Sequence, residues 1–143
     1  MHPPLPHDAK QRRYWIAPHG SANALAIAQA ARAHAGIVVA VTRDTQAAHA
    51  LESDLRVFSE NSHAAGRDSG PTIDVLHFPD WETLPYDLFP PHPEIISQRI
   101  AALYRLPTTA RGVLVVPIAT LMQRLAPRSF IGGSSLVLEL MQK

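Results

Sequence analysis

Apolar positions along the chain fall into short β-branched runs separated by stretches of helical spacing. Ile37-Val38-Val39-Ala40-Val41 and Val113-Leu114-Val115-Val116 are continuous apolar runs, the pattern of strands buried on both faces of a parallel sheet, and the first is expected at the sheet's centre. Ile73 to Phe78 predicts another strand, Tyr14-Trp15-Ile16 a short one ahead of them, and Leu136-Val137-Leu138-Glu139-Leu140 a last one. Ser21 is placed to cap an Ala-rich helix from Ala22 to His34, with Gly36 as its stop. Asp44 or Thr45 can cap the next helix, in which Ala48, Leu51, Leu55 and Phe58 share a face and Glu52 and Arg56 form an exposed i,i+4 pair. From Glu94, the stripe Ile96, Ile100, Leu103 and Tyr104 predicts a helix ending before Pro107, and Ile118 to Leu125 a short one. Strands alternating with helices imply an α/β domain, a mostly parallel sheet with right-handed crossovers and helices on both faces.

Polar and proline-rich stretches punctuate this pattern. Residues 1–13 carry Pro3, Pro4 and Pro6 with few apolar groups and read as a flexible arm, which leaves 14–143 as the folded domain. Asn61 to Thr72 has Gly66, Ser69, Gly70 and Pro71 and reads as a mobile surface loop. Pro79 to Pro93 lacks periodicity but holds Trp81, Leu84, Tyr86 and Phe89, so it is expected to be an ordered loop held by its aromatics.

A length of 143 residues suits one core, and 46% hydrophobic with 17% charged residues argues for a folded chain. The net charge of +1 comes from interspersed signs, a weak drive towards nucleic acid. Cysteine is absent, so packing alone must hold the fold. No run approaches the roughly 18 apolar residues of a membrane span, and the first residues lack a signal-peptide layout, so the expectation is a cytoplasmic chain with no membrane partner.

Candidate chemistry is sparse. A phosphate-binding loop before the first helix would read G-x-x-x-x-G-K-[ST], whereas the chain has Ala17-Pro18-His19-Gly20-Ser21-Ala22-Asn23-Ala24, with no lysine to reach terminal phosphates. Gly20 and Ser21 therefore read as a turn and a cap, and no bound cofactor is expected. The alternative is a nucleotide-binding or DNA-binding module that acts through an unorthodox loop at Gly20. The eight histidines form no H-x-x-x-H or H-E-x-x-H pair, which argues against a metal. Asp80, Glu82 and Asp87 flank Trp81 and Tyr86 with no nucleophile beside them, and read as turn-capping carboxylates. Arg99, Arg105 and Arg111 could meet phosphates, but a solvated face or a tertiary ion pair explains them better.

From Asp80-Trp81-Glu82-Thr83-Leu84-Pro85-Tyr86-Asp87 the chain resembles the N-terminal region of the bacterial transcription-repair coupling factor (Mfd) family. The likeness continues through Pro91-His92, Ile95-Ile96-Ser97, Arg99, Leu103-Tyr104, Leu106-Pro107, Arg111 to Pro117 and Thr120-Leu121-Met122-Gln123-Arg124. The resemblance implies a three-layer RecA-like, P-loop-NTPase-like domain with a degenerate Walker A loop, similar to the front of excinuclease B. It implies a parent protein that is an ATP-dependent superfamily 2 DNA translocase, which displaces stalled RNA polymerase at lesions and recruits excinuclease A for nucleotide excision repair. ATP and magnesium would belong to motor domains elsewhere in that parent. This chain would be a non-enzymatic scaffold holding its own downstream domains, and Asp80, Trp81, Glu82, Pro85, Tyr86, Asp87 and Arg99 would be motif residues of that scaffold. Trp81, Tyr86 and Phe89 would pack it. The stretch from Tyr86 to Pro93 is too short for a DNA-inserting hairpin like that of excinuclease B.

Overall fold

Val113, Val115 and Val116 are almost wholly buried, and the strand that carries them is the axis of the architecture. The computed structural model describes residues 3–8, 10–15, 19–64, 72–83 and 87–134. In chain order the elements are α1 (Ala22–Ala33), β1 (Ile37–Thr42), α2 (Thr45–Ala64), β2 (Asp74–His77), α3 (Pro93–Arg105), β3 (Gly112–Pro117), α4 (Ile118–Leu121) and α5 (Arg128–Ser134). The three strands form a parallel sheet in the order β1-β3-β2, paired Ile37 to Gly112 through Thr42 to Pro117 on one side and Asp74 to Gly112 through His77 to Val115 on the other.

The centre of the sheet is thus β3, not β1 as its apolar run suggested. Val39 and Val41 of β1 are 51% and 48% exposed, because the helices on their face cover β2 and β3 instead. On the opposite face Ala40, Ile73, Val113 and Val115 pack with α1 and α2 in the main core. Small side chains make this close approach possible: Ala24, Ala28 and Ala31, one face of α1 by i,i+4 and i,i+3 spacing, meet Ala48 and Leu55 of α2. Arg32 Nη2 then donates to the Phe58 carbonyl at 2.7 Å, which ties the end of α1 to α2.

Asp44 caps α2 as its position suggested, its Oδ1 accepting the Ala47 N–H at 2.7 Å. Ser21 stands at the start of α1 but makes no side-chain cap bond, since its own backbone is already helical. The helix stops at Ala33 with His34 extended, short of Gly36. Asn61 to Ala64 continue α2 where a loop was expected, while 65–71 lie outside the described residues. Tyr14 and Trp15 are irregular, not strand: Tyr14 is exposed, and the Trp15 indole N–H turns back to the Pro4 carbonyl at 3.3 Å. The expected strand at Leu136 to Leu140 lies outside the described residues. The helix predicted for Ile118 to Leu125 is one turn long, and α5 has no counterpart in the sequence pattern because Arg128–Ser134 carries two glycines and little apolar periodicity.

No helix among the described residues is long and apolar enough to cross a membrane. Gly112 aligns with both Ile37 and Asp74, and a Cβ there would overlap the Asp74 carbonyl oxygen. Backbone cannot yield as a flexible side chain can. Gly112→Ala is therefore expected to lower unfolding free energy by about 1–3 kcal/mol in urea denaturation, the usual cost of overpacking, whereas Gly132→Ala, which meets open space, is expected to change it little.

Candidate functional site

The recognisable motif begins where β2 ends, and the fold gathers part of it around one arginine. Arg99 lies on α3 and is only 4% exposed, so it is neither a solvated cation nor a simple ion pair. Its position follows from the true face of the helix: Arg99 and Ala102 point inward, while Ile100 and Tyr104 of the anticipated stripe are 38% and 43% exposed. Pro93 at the first turn, Glu94 beside it and Arg105 in the last turn suit the helix dipole, so α3 is well formed with an arginine in its buried stripe.

Both terminal nitrogens of the guanidinium are hydrogen-bonded. Nη1 donates to the Pro79 carbonyl at 2.5 Å and Nη2 to Gln123 Oε1 at 3.2 Å. Its carbon sits 4.2 Å from the Phe78 ring centre and 4.1 Å from that of Trp81, close cation–π contacts in a dry setting. Gln123 continues the network by donating from Nε2 to Asp80 Oδ1 at 2.9 Å, and Thr120, itself buried, donates to the same oxygen at 3.1 Å. Burial lowers the pKa of Arg99, and the Asp80 carboxylate opposes that shift. The node therefore joins the end of β2, the middle of α3 and the turn after β3, at the carboxyl edge of a parallel sheet.

Other motif residues stand apart from it. Glu82 is exposed and has φ 57°, the left-handed region, and it is the one non-glycine residue with positive φ among those described. Asp87 is exposed but not without an interaction. Leu84, Pro85 and Tyr86 lie outside the described residues. Phe89 is 80% exposed and Leu88 95%, so Phe89 does not pack the scaffold as anticipated; it lies in a proline-rich stretch without regular secondary structure. Gly20 makes the expected turn, with φ 58° in an exposed segment. Arg105 lies 4.0 Å from Asp74, both half exposed.

A second polar cluster was not visible in the sequence. Glu52 Oε2 lies 2.5 Å from His77 Nδ1 and 3.9 Å from His49 Nδ1, and Glu52 Oε1 accepts from Arg56 at 2.6 Å. Glu52 is thus largely buried, not the exposed partner of Arg56 alone. The His77 hydrogen bond holds its carboxyl below the ordinary range, against the effect of burial and with help from Arg56. The i,i+3 spacing of His49 and Glu52 was the available signal, but only the β2 register brings His77, 25 residues from Glu52, beside them.

No protein-family model matches the chain. It is 42% identical over 135 residues, 94% of its length, to the transcription-repair-coupling factor of Escherichia coli K12. It is 43% identical over 118 residues, 82% of its length, to the protein of that name from Haemophilus influenzae Rd, and 36% identical over 61 residues to that of Rickettsia bellii. The chain spans about a tenth of the first two relatives, 11% and 9% of their lengths.

Replacing Arg99 by Met leaves the Pro79 carbonyl and Gln123 without their donor, and is expected to cost about 2–4 kcal/mol in chemical denaturation. Asp80→Asn keeps an oxygen to accept from Thr120 and Gln123, and the same measurement is expected to show a smaller loss.

Proposed function

By homology over nearly its whole length this chain is a segment of the transcription-repair coupling factor family, and from that premise we propose that it is a structural and docking segment of such a protein, without a working ATPase site. The observation that carries this reading is the closed network at Arg99. Asp80, Arg99, Thr120 and Gln123 are hydrogen-bonded to one another and to the Pro79 carbonyl. Such a network fixes the relative placement of a strand end, a helix and a turn, which is what a scaffold needs.

In this reading the domain is RecA-like, and the turn at Gly20 and Ser21 is a degenerate phosphate loop. The lack of a lysine there supports it. The longer protein would be a cytoplasmic DNA translocase that removes stalled RNA polymerase at damage. ATP and magnesium would act in its motor domains, and DNA, RNA polymerase and excinuclease A would be met largely through other domains. This segment would contribute by holding the neighbouring domains in position.

Titration of ATP with magnesium into the purified chain, followed by calorimetry, tests the proposal. No saturable binding is expected. Stoichiometric binding that is lost when Gly20 is changed to Val would overturn it and make the turn a phosphate site. Salt-sensitive binding of duplex DNA that weakens on changing Arg105 or Arg111 would instead favour a nucleic-acid module.

A further inference from the structure

We propose that His49, Glu52 and His77 form a binding site for a borderline divalent transition-metal ion of the Zn²⁺ class. One ligand atom from each, two imidazole nitrogens and a carboxylate oxygen, lie within 4.8 Å of one another. Two histidines and one carboxylate are a donor set that suits such an ion, and three protein ligands leave a coordination position open for water or an anion. A tetrahedral ion with bonds near 2.1 Å sets its ligand atoms about 3.4 Å apart, so the 2.5 Å and 3.9 Å separations around Glu52 need side-chain movements only on the order of 1 Å.

The surroundings support the same assignment. A cavity of about 270 Å³ opens beside the three residues, with Arg56, Gln98 and Arg105 on its walls, and gives an ion a path from solvent. Arg56 occupies Glu52 Oε1 and leaves Oε2 towards the histidines, the outer-shell arrangement that orients a ligating carboxylate. The two rings stand edge to face with centres 4.7 Å apart, already convergent. His77 turns Nδ1 towards Glu52, so Nδ1 is the nitrogen offered to the ion, while Nε2 stays buried without a hydrogen-bond partner among the described residues. His49 and Glu52 come from consecutive turns of α2 and His77 from the last position of β2, two elements packed on one another. The site is therefore preformed by the fold.

The test uses the chain without a polyhistidine tag, stripped of metal with a chelator and dialysed at neutral pH. Zn²⁺ is titrated by calorimetry, and Co²⁺ by the visible bands that report low coordination number. One equivalent is expected to bind, with a rise in unfolding temperature. His49 is exposed and outside the core, so His49→Ala is expected to fold as the parent does while weakening Zn²⁺ binding more than about tenfold and dimming the Co²⁺ bands. Glu52→Gln is expected to weaken it similarly, and His34→Ala, an exposed histidine outside the cluster, to leave it unchanged. Absence of saturable binding by the parent chain, binding unaltered by His49→Ala, or loss in His34→Ala alone would each overturn the proposal.

Discussion

A permanently charged guanidinium in a dry interior is the constraint on which the carboxyl edge of this sheet depends. Removing Arg99 from water is costly, and the cost is met only if its neighbours stay where they are: the Pro79 carbonyl, the Gln123 amide, the rings of Phe78 and Trp81 and, through Gln123, the charge of Asp80. Those groups come from two separate parts of the chain, 78–81 and the turn at Gln123, and Arg99 itself from a third. An apolar residue at the same place would tolerate small shifts among them, whereas the arginine does not.

Much of the architecture was legible because it rests on local physics. The runs at Ile37 and Val113, the cap at Asp44 and the helical spacing of Ala48, Leu51 and Leu55 are properties of short segments, and all reappear as elements. What could not be read was the arrangement between segments. The run at Ile37 was expected at the centre, yet only the one at Val113 is flanked on both sides by other strands, and strand order is set by crossovers that leave no mark in composition. The buried stripe on α3 departs from the apolar spacing for a related reason: arginine as a residue type points outward, and this one is drawn inward by partners supplied from 20 and more positions away.

The polar clusters follow the same division. Trp81 and Arg99 were recognisable as parts of a motif, but their contact was not, and the meeting of His49, Glu52 and His77 depends on α2 lying across the last residue of β2. Histidine spacing along one helix is a sequence signal, whereas a ligand contributed by a neighbouring strand is not. The exposed Phe89 is the converse case, an aromatic residue whose type suggests burial while the irregular stretch that carries it leaves it in solvent.

The close approach of Gly112 to Asp74 bears on how the chain finds its strand alignment. All three strands are parallel, so no hairpin turn fixes their offset, and each must be aligned after a long crossover. A slip of one residue would turn every apolar side chain to the wrong face and is disfavoured for that reason. A slip of two would keep the faces correct, and hydrophobic pattern offers nothing against it. With Gly112 at the first position of the central strand, the native offset is the one that sets a residue without a Cβ against the Asp74 carbonyl, where a side chain would overlap.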